Sequence, residues 1–347
     1  MNEQTGRIFA DILPQRRLGS PGQVVVITGG SSGIGRCTAA LFGRQGWRVG
    51  LIARGWPGLD FARAELESQG GQAEAVSADV ADADAVEAAA DELEALLGPI
   101  DVWVNCAGNG VFGRFLSVPD REFRRVTDVT YTGTVNGTRA ALRRMLPRDR
   151  GTIINVCSGI AHHGMPLLSS YSGAKHAVRG FTDAIRGELN QDGSRVRITM
   201  IYPPAVNTPF FSHAVSYMER PPRPMNPVYQ PEIVAAAVLR AAARPRRLVQ
   251  VGSVTAVFGL MSALFPGMID RAIKRLGYDG QMTDCPLAAA LRDPTLFAPS
   301  LKPSGAHGPF EAKARKIKLP AWFGRHRVLL QAGMALSAAA GLAAWVR

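Results

Sequence analysis

Between residues 23 and 251 the chain alternates short, nearly continuous apolar runs with stretches of helical periodicity, and no other feature limits its possible folds as strongly. The runs Val24–Thr28, Arg48–Ala53, Ala73–Ala78, Asp101–Asn105, Thr152–Cys157, Arg197–Ile201 and Leu248–Val251 predict strands. Helices are predicted between them, over Gly33–Gln45, Leu59–Gln69, Ala83–Leu97, Pro119–Met145, Ser169–Asn190 and Glu232–Ala243. Strands that are apolar throughout must be covered on both faces, and parallel neighbours need a crossover segment between them. The pattern predicts an α/β domain with a doubly wound parallel sheet and helices on both faces.

The first strand runs directly into Thr28-Gly29-Gly30-Ser31-Ser32-Gly33-Ile34-Gly35, which opens the first helix. Glycines let the backbone turn tightly and approach a pyrophosphate, which the unpaired N–H groups of a helix N-terminus can bind. Gly29, Ser31, Ser32, Gly33, Ile34 and Gly35 are therefore candidate dinucleotide-binding residues; a glycine-rich turn serving steric needs alone is the alternative. The end of the second strand selects the dinucleotide. An acidic side chain there would bind the ribose 2′-hydroxyl of NAD, but this chain has Ala53-Arg54. A guanidinium can chelate a 2′-phosphate and stack on adenine, so NADP(H) is the expected cofactor and Arg54 its selector.

Tyr171 and Lys175 stand four apart in a predicted helix, which puts the phenol and the ammonium on one face. A neighbouring cation favours the phenolate, and a phenol so tuned can pass a proton to a carbonyl oxygen or take one from an alcohol. Such a pair occurs by chance in many helices. Here, however, the chain has only six lysines, and Lys175 is the only one before Lys274; elsewhere arginine carries positive charge. Ser158, ending the fifth strand, is placed to bind the substrate oxygen.

Together the glycine motif, Asp79-Val80 after the third strand, Asn105-Cys106-Ala107-Gly108 after the fourth, Ser158, and Tyr171-x-x-x-Lys175 resemble a short-chain dehydrogenase/reductase over about residues 22–250. The resemblance implies a Rossmann-type sheet, a nicotinamide cofactor, and Ser158, Tyr171 and Lys175 as catalytic residues. It also implies that Asp79 and Val80 lie near adenine, that Asn105 and Gly108 line the dinucleotide cleft, that Lys175 holds the nicotinamide ribose, and that Thr208 matches the family's cofactor-binding threonine. Homo-oligomers formed through helices around 119–146 and 169–191 are a further implication.

Three positions depart from the family pattern. Thr130 stands where an asparagine usually holds a water linking the lysine to solvent; its hydroxyl can hold a water too, so Thr130 is expected in that role. Asn136 would project from a different face. Pro204 replaces the usual glycine after the sixth strand and lacks an N–H, which bears on the nicotinamide contacts. Cys106 replaces the second asparagine of the usual pair.

The remaining signals are weaker. His162 and His163 fall where the family's substrate loop runs, as substrate contacts or as a structural loop pair. Met218 and Met225, with Phe210 and Phe211, line an apolar pocket or pack beneath the loop Tyr202–Pro231. Four cysteines without metal-ligand spacing read as reduced thiols in a cytoplasmic protein, with no metal expected. More than half of the net charge of +12 falls after residue 250. No nucleic-acid partner is expected, because no aromatic-interleaved basic surface or reading motif accompanies the charge.

The chain divides into a polar arm (1–22), the NADP-binding catalytic domain (23–251), an extension with an apolar helix and a basic connector (252–327), and an apolar helix (328–347). Val328–Val346 carries no charged residue and would span about 28 Å at the 1.5 Å helical rise, close to a bilayer core. A basic stretch precedes it, which suits attachment to the cytoplasmic face of a membrane; a soluble docking helix is the alternative. Val254–Ile269 reads as an interfacial segment, a contact between copies, or a wall of the substrate pocket. The expected activity is NADP-dependent interconversion of a lipophilic carbonyl and its alcohol, with Tyr171 as acid/base. The alternative is an NADP(H)-sensing Rossmann protein that holds a partner at the membrane.

Overall fold

The computed structural model describes residues 20–285 and 292–315. Nearly all of the polar arm expected over 1–22, and the whole apolar segment 328–347, lie outside the described residues.

Seven parallel strands form the central sheet: β1 (Val24–Thr28), β2 (Arg48–Ala53), β3 (Gln72–Ser77), β4 (Ile100–Asn105), β5 (Thr152–Val156), β6 (Arg197–Tyr202) and β7 (Leu248–Gln250). Their spatial order is β7-β6-β5-β4-β1-β2-β3. The helices α1 (Gly33–Arg44), α2 (Trp56–Glu67), α3 (Ala83–Leu97), α4 (Asp120–Thr127), α5 (Gly133–Met145), α6 (Ser169–Gln191) and α7 (Glu232–Ala243) connect them. β1 is buried along its whole length because it lies mid-sheet with helices above and below. Side-chain alternation divides it: Val24 and Val26 join the core built with Val86, Leu93, Ala140, Ala141 and Leu189, while Val25 and Ile27 point to the other face. The chain winds outward from β1 in one direction and from β4 in the other. That reversal opens a crevice at the carboxyl ends of the strands, where ligands of such sheets bind.

Local chemistry explains the element boundaries. α3 starts at Asp82, whose carboxylate accepts from the Asp84 and Ala85 N–H groups at 3.0 Å, and it stops at Gly98, where φ is +91°. The strand assignments hold within a residue.

The long helix expected over Pro119–Met145 is interrupted. α4 passes through a π-helical turn, Asp128–Thr132, before α5 begins. Insertions of this kind re-aim side chains at functional sites, and this one carries Thr130 into the interior. Hydrophobic periodicity is too coarse to register one extra residue in a turn.

Beyond β7 the apolar stretch becomes two helices, α8 (Ser253–Leu264) and α9 (Pro266–Leu276), broken at Phe265-Pro266. The segment around 280–310 was expected to be an extended connector. Instead, residues 292–315 return across the carboxyl edge of the sheet, and Ala314–Arg315 pairs with Val228–Tyr229. Polar contacts fasten it: the Glu311 carboxylate accepts from Asn207 Nδ2 at 3.0 Å and Gln230 Nε2 at 2.8 Å, and His307 meets Glu232 at 2.8 Å. Among the described residues no helix is long and apolar enough to cross a membrane.

Leu93 is fully buried, and its methyl carbons stand close to Gly50 and Val26. Leu93→Ala is expected to lower stability by about 2–5 kcal/mol through lost contacts and a residual cavity, measured by urea unfolding with the cofactor absent.

Candidate active site

The site begins at the β1–α1 turn. Gly29 and Gly33 adopt φ of +71° and +56°, a region side chains rarely enter. A Cβ at Gly29 would stand 2.9 Å from the Ala107 backbone, and one at Gly35 would stand 2.2 Å from the Gly29 carbonyl oxygen. The turn is thus folded so tightly against the end of β4 and the start of α1 that only glycine fits. Ser32 is the N-cap of α1 but makes no side-chain capping bond. The first-turn N–H groups of a helix have no intrahelical acceptors. This cradle, which any Cβ would fill, fits a pyrophosphate. Gly29, Ser31, Ser32, Gly33, Ile34 and Gly35 all line the cleft, which has a volume of about 480 Å3.

Two side chains missed by the sequence reading hold the cleft floor. Thr28 Oγ1 accepts from the N–H groups of Cys106 and Ala107 at 3.1 and 3.3 Å, tying the end of β1 to the loop after β4. Asn136 Nδ2 donates to the Val80 carbonyl at 2.9 Å and fixes the loop after β3. Asp79, Val80, Gly108 and Thr208 line the cleft. Asp79 is also engaged by Arg125 and by the Ala81 N–H.

Asn105 requires a correction. Its Oδ1 accepts from Trp103 Nε1 at 2.8 Å, and its Nδ2 donates to Thr138 Oγ1 and Asn155 Oδ1 at 3.1 and 2.9 Å. With its amide engaged at both ends and buried, the side chain joins β4 to β5 and α5 and does not line the cleft.

Ser158, Tyr171 and Lys175 converge on one wall of the cleft. β5 delivers Ser158 at its carboxyl end, and α6 presents Tyr171 and Lys175 one turn apart. Lys175 Nζ donates to the Val156 carbonyl at 2.7 Å and lies 5.6 Å from the centre of the Tyr171 ring. Burial pushes the Tyr171 phenol well above its ordinary range, opposed only in part by a hydrogen bond with the Ser158 hydroxyl. That direction is opposite to the lowering anticipated from Lys175 alone, whose own ammonium is pulled down by burial. Thr130 is fully buried, with Oγ1 at 3.4 Å from both the N and the O of Asn109. A Cβ at Gly108 would lie 3.7 Å from Thr130 Oγ1 and 4.0 Å from Lys175 Nζ, so the threonine and the lysine flank the same glycine.

At the substrate end the lining is apolar: Met165, Leu168, Phe210, Phe211, Val254 and Phe258. Phe210 packs on Tyr171 with ring centres 5.3 Å apart. Met225 also lines the cleft, whereas Met218 packs behind Phe112, Leu167 and Leu168. His162 and His163 do not line it. His162 stacks on Tyr202 with ring centres 4.6 Å apart and meets Gln250 at 2.8 Å, and burial lowers its pKa. His163 reaches Asp270 of α9 at 2.9 Å. Pro204 lines the cleft as well, beside Pro203, whose carbonyl accepts from the Gly159 N–H at 3.0 Å. Burial pushes the Cys106 thiol up to about 12, so it stays protonated.

The returning segment crosses the adenosine end of the cleft. The Arg54 guanidinium donates to the carbonyls of Thr295, Leu296 and Phe297, the last two at 3.2 and 3.0 Å. The Gly305 carbonyl accepts from the Gly33 N–H at 3.1 Å, and the Ser304 carbonyl from Arg36 Nη1 at 2.7 Å. Thr295, Pro299, Ser300, Lys302 and Ser304 complete the lining. Sequence reading missed these residues because they lie more than two hundred positions from the glycine motif and carry no motif of their own.

The short chain dehydrogenase family profile matches residues 23–218. The chain belongs to the short-chain dehydrogenase family. Within that family it is 37% identical over 268 residues to an uncharacterized oxidoreductase, YxnA, of Bacillus subtilis, covering 76% of this chain and 75% of the relative. It is 33% identical over 278 residues to a 3-dehydrosphinganine reductase of Danio rerio, covering 75% and 80% respectively. Among solved structures, an actinorhodin polyketide ketoreductase variant with NADPH superposes with a TM-score of 0.58 at 28% identity, covering 66% of this chain and 95% of that one. A metagenomic short-chain oxidoreductase in complex with NADP gives 0.56 at 28% identity, covering 67% and 96%.

Gly35→Ala places a methyl group against the Gly29 carbonyl and must spread the turn. Dinucleotide affinity is expected to fall at least about tenfold, read by fluorescence titration, while far-ultraviolet circular dichroism remains that of the folded protein.

Proposed function

We propose that this short-chain dehydrogenase is an NADP(H)-dependent oxidoreductase that interconverts a lipophilic ketone or aldehyde and its alcohol. The observation carrying this reading is the convergence of Ser158, Tyr171 and Lys175 in the cleft that the glycine turn opens, with an apolar wall beside them. When bound, the nicotinamide supplies or accepts the hydride at the carbonyl carbon. In the reducing direction Tyr171 gives its phenolic proton to the substrate oxygen, so a carbonyl gains one hydride and one proton and becomes an alcohol. Ser158 donates a hydrogen bond to that oxygen and orients it. The Lys175 ammonium steadies the phenolate left behind, and the Thr130 hydroxyl stands beside Gly108 to support its reprotonation.

Arg54 at the end of β2 supports NADP(H) over NAD(H), since it offers a guanidinium where an acid would repel a 2′-phosphate. The NADP and NADPH bound in the structural neighbours support the same choice. Met165, Leu168, Phe210, Phe211 and Phe258 support a lipophilic substrate, and so does the name of the Danio rerio relative, a 3-dehydrosphinganine reductase.

Three outcomes test this. Turnover of NADPH should rise as the carbonyl substrate lengthens, and Tyr171→Phe should lower kcat by roughly a hundred- to ten-thousand-fold. Equal rates for short polar and long apolar ketones would overturn the lipophilic assignment. Arg54→Ala should raise the KM for NADPH about ten- to a hundredfold while leaving that for NADH nearly unchanged. The pH profile follows from the buried phenol. Reduction needs it protonated and, with its pKa raised by burial, should hold across neutral pH and fall only in alkali; oxidation, which needs the phenolate, should climb with pH.

A further inference from the structure

Helices α8 and α9 show two opposed faces. The inner face belongs to the site: Val254, Thr255 and Phe258 line the cleft, and a Cβ at Gly159, next to Ser158, would stand 3.3 Å from Thr255 Cγ2. Gly259 seats the hairpin on the His162 ring, and Asp270 receives His163 at 2.9 Å. The outer face has no such partners. Seven of the seventeen exposed large apolar side chains among the described residues fall between 254 and 276. Val254, Val257, Leu260 and Leu264 recur at intervals of three and four along α8 and so share one stripe. Val257 is 58%, Leu264 60% and Leu276 63% exposed. A contiguous apolar surface of this kind marks an interaction site.

Charge identifies the partner. α8 contains no charged residue, while α9 carries exposed Arg271, Lys274 and Arg275 against Asp270, which His163 already engages. Spacings of three and four place Arg271 and Arg275 on the same helical row as Met268. A twofold contact between copies would set this patch against itself and bring like charges together. An anionic bilayer surface instead meets the apolar side chains with its acyl boundary and the guanidinium and ammonium groups with its headgroups.

We propose that α8 and α9 form a lipid-docking lip, seated on anionic bilayer surface, through which a lipophilic substrate passes into the cleft behind Val254 and Phe258. The docking stands on the exposed face alone. Only the substrate route rests on the reading given under Proposed function.

The test uses the full-length protein with vesicles of phosphatidylcholine alone and of phosphatidylcholine with phosphatidylglycerol. Sedimentation should show at least tenfold tighter binding to the anionic vesicles, weakened by salt. Leu260→Glu/Leu264→Glu and Arg271→Glu/Arg275→Glu should each lose at least tenfold in binding. Neither pair lines the cleft, so turnover of a short, water-soluble carbonyl should remain at the wild-type rate and report a folded enzyme. Vesicle binding unchanged in both variants would overturn the proposal and assign any membrane contact to another part of the chain. A wild-type dimer that Leu260→Glu/Leu264→Glu separates into monomers would overturn it in favour of a contact between copies. Chain-length dependence of turnover, measured without vesicles, fails separately if the lipophilic reading is wrong.

Discussion

The approach of the Gly29 carbonyl to Gly35 is the contact on which the rest of the site depends. A space that a single Cβ would fill brings the end of β1 onto the first turn of α1 and leaves first-turn N–H groups facing the cleft. The same closeness holds the loop after β4, since Thr28 Oγ1 accepts two of its N–H groups while Ala107 stands against Gly29. From that loop the line runs to Gly108, and from Gly108 to Thr130 and Lys175. One steric constraint, set by glycines, therefore registers the anion cradle against the proton-transfer wall.

Burial gives the wall its chemistry. A phenol enclosed by Phe210 and the β5 and β6 loops is held protonated, which suits donation to a carbonyl oxygen. A cation beside it then matters most once the proton has left, because a buried phenolate without a partner is costly. Lys175 is anchored by the Val156 carbonyl rather than by a carboxylate, so its charge remains available to the phenol's surroundings. The π turn between α4 and α5 brings Thr130 to the same place. An uninterrupted α-helix would rotate that residue by a large part of a turn.

Arg54 shows how a selector can be shared between functions. In the protein without nucleotide its donors meet three consecutive carbonyls of the returning segment. That segment is fastened at one side by Leu296, buried among Val111 and Val126, and at the other by the Asn207, Gln230 and Glu311 cluster. The C-terminal region is thus part of the cleft at both ends: residues 295–304 at the adenosine side and α8 at the substrate side.

The sequence by itself determined the sheet, its strand boundaries, the glycine turn, and the trio Ser158, Tyr171 and Lys175. These are local facts: apolar period, capping chemistry, the steric demand of one turn, and a four-residue spacing on one helix. It also pointed to Thr130 as the substitute for a missing asparagine. The tertiary structure alone decided what depends on neighbours distant in the chain. Asn105 looked like a cleft residue, but Trp103, Thr138 and Asn155 consume its amide. His162 and His163 lie between the catalytic positions in sequence, yet they face α8, α9 and Tyr202. The basic, proline-rich connector proved to be a strap across the cofactor cleft, fixed by backbone carbonyls that have no sequence signature. Val254–Ile269 could be read as pocket wall or interfacial helix; folding gave α8 an inner face on the cleft and an outer face in solvent. Periodicity records which residues share a face, but only packing decides what each face meets.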